Sequence, residues 1–478
     1  MKRILFVIFL FITSLLRADE KVSVVIKMSP DKEFVYWFSG KDYLSDYEQS
    51  FARGEKAKTD GDGYYRTEFD ISKPLTLNLG KVNKTIMTVL PLYLTPGSRD
   101  TITFEKDTIT FQGTNADYNR CLQETESFLN NCNQFLIGRP NKDPLFQTKS
   151  YAEFTRLLKE RKAETEKTIK QYSDLPIIFL DEQLAHIDLG SRMAFMYKVL
   201  FNVPDSLQTD DWKEASRQMV DQPIRTPYFT SFRETYFLLS GLLGLACKVE
   251  TGSIKGKNVS LESFERLPRH LEGKNLECAW ATLINNDIVY GTYDPIVPEL
   301  YEMLKKRFPE NNYKAFLETG IAKNERFNAI NSADNSDKDY QIMVCDTSFH
   351  SLSDVVKSLK GKPVYVDLWA TWCTSCLSEF PYLRQVEPKV KDLDVTFLYV
   401  SMDRPENKKR WEKSLRYYKL KGYHLLATPE LAKAIYKEFG NYIPHAILFD
   451  KNGNIVERNA PGLKQVENLY EKLVKWSK

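Results

Sequence analysis

Two cysteines near the C-terminus, Cys373 and Cys376, have the spacing of a reactive dithiol. They follow an apolar run that ends at Trp369, and the two intervening residues place both sulfurs in the first turn of one helix, within bonding distance. A helix start at this point presents unpaired N–H groups and a partial positive charge to the first cysteine, which favours its thiolate form. The pattern predicts thiol–disulfide chemistry that needs no metal and no cofactor besides the redox-active Cys373–Cys376 disulfide itself.

The residues around the pair alternate between strand and helix patterns from 341 to 478. Predicted strands cover 363–369, 395–401, 445–450 and 454–458, and predicted helices cover 373–393, 407–418, 429–439 and 463–476. This order predicts a central mixed sheet with helices on both faces.

The preceding residues show two other patterns. Residues 19–113 alternate apolar and polar side chains in short runs, which predicts an antiparallel β domain of the sandwich type. Residues 114–335 have helical periodicity. We therefore expect a multidomain protein with a β domain at 19–113, a helical region at 114–335 and an α/β domain at 336–478.

The N-terminus has the features of a secretory signal peptide over residues 1–18, with a basic start and a short apolar run. An uncleaved membrane anchor through residues 4–16 stays open as an alternative, although this run is shorter than the ~20 residues of a spanning helix. Export predicts a periplasmic location, an oxidising compartment in which cysteines pair or react.

Charge and cysteine content restrict the partners and the disulfides that we expect for this chain. The chain has 67 Lys and Arg against 64 Asp and Glu, and the excess lies in the predicted signal peptide, so we expect no nucleic-acid partner. Of its seven cysteines, five lie outside the pair. We expect these five to be mostly buried apolar residues, and a disulfide between Cys247 and Cys278 stays open.

The stretch Asp367-Leu-Trp-Ala-Thr-Trp-Cys373-Thr-Ser-Cys376, followed by Pro381, resembles the active site of thioredoxins. Residues 439–453, around Ile443-Pro444, resemble the thioredoxin segment that carries a cis-proline, and Ala460-Pro-Gly462 resembles the turn before the last helix. Lys360-Gly-Lys-Pro-Val resembles the secreted TlpA/ResA-like branch. More diffusely, residues 20–130 resemble exported Bacteroidetes-type proteins in which a β domain precedes such a thioredoxin domain.

The resemblance implies catalytic roles for four residues. Cys373 is expected to be the exposed nucleophile that forms a mixed disulfide, and Cys376 the deeper cysteine that resolves it. Asp367 is expected to be buried, with a raised pKa that suits a proton acceptor for Cys376; the alternative is a buried, purely structural aspartate. Pro444 is expected to be cis, so that residue 443 turns its backbone toward the dithiol.

The resemblance also implies a substrate-binding surface. Trp372 is expected to be an exposed contact, and Ile443 to pair with an extended substrate as an added strand. His445 stands where the family has threonine, and it either tunes Cys373 or faces the substrate groove. Thr374-Ser375 replaces the usual dipeptide between the cysteines, so the redox potential cannot be carried over.

These residues favour a periplasmic reductase of protein disulfides over its rivals. Its partners would be exported proteins with disulfides and an upstream membrane electron donor. An oxidase or isomerase of the same fold and a non-catalytic docking module stay as alternatives. A zinc site lacks a second cysteine pair, and a peroxiredoxin would need a threonine where Ala370 stands.

Overall fold

The computed structural model describes most of the chain, namely residues 20–39, 55–83, 86–105, 108–137, 143–232, 234–253, 259–330, 340–345, 349–359 and 361–477. The predicted signal peptide and the alternative anchor lie outside these residues. The chain separates into two compact units, one formed by 1–258 with 265–279 and the other by 259–264 with 280–478. Among the described residues, no helix has both the length and the apolar character needed to cross a membrane.

The N-terminal unit begins with two four-stranded sheets, ordered β4-β1-β7-β8 and β3-β2-β5-β6. The strands are β1 Glu20–Lys27, β2 Glu33–Ser39, β3 Glu55–Lys58, β4 Tyr64–Ile71, β5 Leu75–Asn83, β6 Ile86–Leu94, β7 Arg99–Glu105 and β8 Thr108–Gly113. Alternate residues of both sheets, such as Val24 of β1 and Leu77 of β5, fill one core. The predicted β domain is confirmed; one of its strand pairs, β1 with β7, runs parallel.

The middle of the chain is helical, as predicted. Its helices are α1 Ala116–Ile137, α2 Pro144–Gln147, α3 Tyr151–Ile169, α4 Ile177–Tyr197, α5 Asp210–Asp221, α6 Thr235–Thr251, α7 Leu261–Arg266, α8 Gly273–Val289, α9 Val297–Arg307 and α10 Lys314–Ala329. Aromatic side chains form the core of the N-terminal helices: Trp212 lies 5.5 Å from Phe154 and 5.8 Å from Phe195 between ring centroids. The aromatic periodicity therefore reflects packing in this region.

The C-terminal unit contains a six-stranded mixed sheet in the order β14-β13-β10-β11-β12-β9. Its strands are β9 Tyr340–Met343, β10 Val364–Trp369, β11 Thr396–Ser401, β12 Gly422–Leu426, β13 His445–Phe449 and β14 Ile455–Ala460. Its helices besides α9 and α10 are α11 Leu352–Ser358, α12 Thr374–Leu377, α13 Leu383–Val390, α14 Lys408–Tyr418, α15 Pro429–Phe439 and α16 Val466–Trp476. The predicted mixed α/β sheet is confirmed, with β9 and β12 as strands that the sequence pattern did not reveal.

The helix predicted over 373–393, with a kink at Pro381, is divided into separate segments in the structure. Helix α12 ends at Leu377, a 3-10 turn covers Phe380–Tyr382, and α13 starts at Leu383. Pro381 has no N–H to donate, and its ring crowds the carbonyl four residues earlier, which favours a break in the helix at this point. The dithiol consequently lies on a single helical turn.

An aromatic cluster joins α10 and α14 within the C-terminal unit. The ring of Phe327 lies 4.8 Å from Tyr293 and 5.3 Å from Tyr417 between centroids, and Phe327 is buried. This packing makes the helices after residue 280 part of the same folded body as the sheet.

We expect Phe327→Ala to destabilise the C-terminal unit by about 3–5 kcal/mol, because the change removes a buried ring and leaves a cavity. Lys323→Ala, on the exposed face of α10, is the matched control and should change stability by less than about 0.5 kcal/mol. Calorimetric melting of both variants measures the difference. Equal melting temperatures would mean that the cluster carries no stability.

Candidate active site

Strand β10 leads into the loop and helical turn that carry the cysteine pair, at one end of the sheet. Cys373 follows the strand by four residues and occupies the position before the first turn of α12, where its Sγ accepts a hydrogen bond from the Cys376 N–H at 3.2 Å. The two sulfurs are joined in a disulfide. The Oγ of Ser375 lies 3.4 Å from the same Sγ. Both polar groups would stabilise a thiolate on Cys373.

The expectation of an exposed Cys373 is wrong for this state. Cys373 is 5% exposed and Cys376 2%, and both pack into the C-terminal core. The predicted order nevertheless holds, since Cys376 is the deeper of the two.

Asp367 lies near the middle of β10, where every residue of the strand is buried. Burial, and after it the negative charge of Glu379, raises the pKa of Asp367 from 3.8 to about 7. The pKa values of Tyr365 and Tyr399 are raised by burial and then by the charge of Asp367, so both phenols stay neutral beside it. The predicted rise in the Asp367 pKa is confirmed, while its role as a proton acceptor stays a prediction.

Glu379 is a nearby acid that the sequence reasoning missed. Its Oε2 accepts a hydrogen bond from the Leu463 N–H at 2.9 Å, next to the Gly462 turn. A Cβ at position 462 would lie 2.7 Å from this oxygen, so glycine leaves the room that the carboxylate needs. Its position next to the motif could have identified it, since Glu379 follows Cys376 by three residues and precedes Pro381 by two.

The Ile443–Pro444 peptide bond is cis, as predicted. Ile443 and Pro444 are partly exposed at the start of β13, which pairs with β10. His445 is 5% exposed; its Nε2 lies 2.8 Å from the Arg458 carbonyl oxygen, and its ring stacks on Tyr442 with centroids 4.7 Å apart. The structure therefore places His445 beneath Tyr442, and not at an open surface.

Exposed aromatic side chains occur on both segments that form the site. Trp372, immediately before Cys373, is 46% exposed, as predicted for a contact residue. Tyr442, which the sequence reasoning did not single out, is 53% exposed two residues before Pro444. Trp369 is fully buried and belongs to the core.

The cysteines outside the pair form no disulfide where the structure describes them. Cys247 and Cys278 are not bonded to each other, so that open alternative is not realised, and Cys121 and Cys345 are not in disulfides either. In the described part of the chain, no group of three or more His, Cys, Asp or Glu side chains is arranged to hold a metal ion.

The C-terminal residues have clear relatives among known proteins. The Redoxin family model matches residues 350–473. The thiol-disulfide oxidoreductase ResA of Bacillus cereus (strain ZK / E33L) is 32% identical over 120 residues, which cover 25% of this chain and 67% of the relative. The chain belongs to the ResA-like family of thiol-disulfide oxidoreductases.

A second ResA protein and a solved structure are also similar to part of the chain. ResA of Bacillus anthracis is 32% identical over 107 residues, which cover 22% of this chain and 57% of that protein. The solution structure of a putative thiol-disulfide oxidoreductase from Bacteroides vulgatus is 35% identical, with a TM-score of 0.22, and the match covers 25% of this chain and 79% of that one. The chain thus spans between just over half and two thirds of the two ResA proteins, and these matches cover about a quarter of this chain.

Asp367→Asn should stabilise the oxidised protein, and the gain should grow with pH. Folding raises the pKa of this acid, so its bound proton stabilises the folded state. This stabilisation is complete below the unfolded pKa of 3.8 and is lost as the pH rises toward 7. The gap between variant and wild type should therefore widen by about 4 kcal/mol from pH 4 to pH 8 and then level off. Melting curves across this range test it, with the exposed Asp392→Asn as control. A gap that is constant with pH would contradict the raised pKa.

Proposed function

We propose that this protein is an exported thiol–disulfide oxidoreductase that reduces disulfides of exported proteins through Cys373 and Cys376. The observation that carries the proposal is the location of the cysteine pair at the end of the strand that buries Asp367, whose pKa is about 7. Membership of the ResA-like family supports the reaction class.

The proposed reaction has two thiol–disulfide exchanges. The Cys373 thiolate attacks one sulfur of the substrate disulfide, and the other substrate sulfur leaves as a thiolate and takes a proton. Cys376 then gives its proton to Asp367 and attacks Cys373, which forms the Cys373–Cys376 disulfide and releases the reduced substrate. Two electrons pass to the substrate in each cycle. An acid with a pKa near 7 accepts and returns a proton readily at neutral pH.

The binding surface proposed for the substrate lies on both sides of the pair. Trp372 and Tyr442 supply exposed aromatic area, and the backbone of Ile443 is the proposed partner for an extended segment of the substrate. His445 supports this surface from below through its stacking on Tyr442.

The proposed location is the periplasm, reached through the signal peptide at residues 1–18 or with residues 4–16 kept as an anchor. That compartment is held oxidising, so a reductase there needs an upstream membrane electron donor. Asp367 and the Ile443–Pro444 pair support the reductase direction.

An oxidase or isomerase is the second candidate, and one contact favours it. The Cys376 N–H donates to the Cys373 Sγ, with the Ser375 hydroxyl close by, and both would stabilise the thiolate of the reduced pair. A more stable reduced form makes a disulfide more oxidising. The direction of electron flow therefore depends on which has the larger effect on the dithiol, this contact or the charge of Asp367.

Cys373→Ser should abolish insulin reduction, because it removes the attacking sulfur. Cys376→Ser should instead accumulate a mixed disulfide with the substrate, since the resolving thiol is missing. Turbidity and non-reducing gels measure the two effects, with Cys247→Ser as the matched control. Wild-type activity in Cys373→Ser would refute the proposed reaction.

Equilibration of the pair with glutathione should yield a reduction potential well below about −120 mV, the value of the strongly oxidising DsbA. A potential close to that value would overturn the reductase direction and favour the oxidase, while leaving the cysteine chemistry intact.

A further inference from the structure

One arginine of α14 joins the loop before the dithiol to the turn that follows α8. Arg410 Nη2 lies 2.7 Å from the Thr371 carbonyl oxygen, 2.9 Å from that of Gly291 and 3.0 Å from that of Tyr290. Thr371 precedes Cys373 by two residues, whereas Tyr290 and Gly291 lie more than a hundred residues away from Arg410 in sequence. Backbone from two distant parts of the C-terminal unit thus meets at a single guanidinium nitrogen.

Thr371 is held at each of its polar groups. Asp403 accepts hydrogen bonds from the Thr371 N–H at 2.8 Å and from its hydroxyl at 2.7 Å. Arg410 donates a hydrogen bond to the Thr371 carbonyl oxygen. Asp403 is itself fixed by the Ser401 hydroxyl at 2.8 Å. Thr371 and Asp403 are both buried, so no solvent competes for these bonds. The position of the loop therefore depends on Asp403 from one side and on Arg410 from the other.

Carbonyl oxygens orient the Arg410 cation, and no carboxylate bonds to it directly. Among the described residues its only hydrogen bonds are those to the three carbonyls, and its buried Nε has no partner. Asp403 and Asp287 act on it at longer range and partly oppose the burial that lowers the pKa of Arg410. The positive charge is consequently held against the loop that leads into Cys373.

The turn at 290–291 also touches the other side of the dithiol. Gly291 has a positive φ of 58°, and a Cβ added there would lie 2.9 Å from Leu377 Cδ1. Leu377 follows Cys376 directly. The same turn therefore contacts the residue after Cys376 and, through Arg410, the loop before Cys373.

We propose that Arg410 is a positioning residue for the Cys373–Cys376 dithiol, and that through it the turn after α8 sets the redox equilibrium of the pair. Arg410 acts through Thr371 and keeps Cys373 Sγ within reach of the Cys376 N–H. The bond and the nearby positive charge both stabilise the Cys373 thiolate and hence the reduced form. The inference rests on the disulfide chemistry of the proposed function, and it is independent of the direction of electron flow.

The test is the equilibrium of the full-length protein with glutathione. Two glutathione molecules reduce the Cys373–Cys376 disulfide to the dithiol and become one glutathione disulfide. Alkylation followed by peptide mass spectrometry reports this pair alone, so the other five cysteines do not interfere. Arg410→Gln should make the disulfide harder to reduce by roughly three- to tenfold in this constant, the size expected for one weakened charge-assisted hydrogen bond. Arg410→Lys keeps the charge and should stay within about twofold of wild type.

Lys413→Gln is the matched control. Lys413 lies one turn further along α14. Its Nζ lies 3.4 Å from Asn328 Oδ1 and 5.7 Å from the ring centroid of Phe327, so it contacts α10 and not the loop before the dithiol. It should leave the equilibrium constant unchanged. An unchanged constant in Arg410→Gln, or an equal shift in Lys413→Gln, overturns the proposal.

A second variant covers the case in which Arg410→Gln does not fold. Gly291→Ala pushes the turn away from Leu377 and should shift the constant in the same direction; no shift would overturn the proposal. The readout needs no protein substrate. If wild type fails to reduce insulin while Arg410→Gln still shifts the glutathione equilibrium, the reductase direction fails and the positioning role stands.

Discussion

The complete burial of strand β10 is the constraint on which the active site depends. The strand lies between β11 and β13, and Asp367 is opposite Tyr399 on one side and Ala446 on the other. Asp367 is only 6% exposed. Its ionisation above pH 7 costs about 4 kcal/mol relative to an exposed aspartate, given a pKa raised from 3.8 to about 7. The hydrogen bonds and apolar contacts of a central strand offset that cost, so the fold tolerates a buried acid at this position.

The parts of the site that the sequence could predict lie on this strand or next to a neighbouring one. Cys373, Cys376 and Asp367 belong to one continuous stretch of strand, loop and helical turn, so their proximity follows from local geometry. Pro444 adjoins β13, an apolar strand that the residue pattern revealed. These parts, and the order of the three regions of the chain, were predictable because each is encoded over a few neighbouring residues.

The features that the sequence did not reveal depend on longer-range contacts. β9 and β12 are short, and each has a polar residue inside it, Gln341 and His424, so neither forms the apolar run that revealed the equally short β13. Thr371 and Asp403 are 32 residues apart, and Arg410 reaches a turn about 120 residues away. Polar residues that meet across such separations leave no pattern in the chain. The burial of Cys373 was missed as well, since it depends on packing in the C-terminal core and not on the local pattern.

Two opposing effects act on the two sulfurs, and the direction of electron flow depends on the balance between them. The Cys376 N–H favours the thiolate of Cys373 and with it the reduced pair. An ionised Asp367 disfavours a second negative charge nearby and with it the Cys376 thiolate. Since the pKa of Asp367 is about 7, the balance changes within the neutral range. Arg410, which fixes the loop before Cys373 through the Thr371 carbonyl, acts on the first effect. The turn after α8, which Arg410 joins to this loop, is therefore proposed to adjust the equilibrium of the dithiol through the position of Cys373.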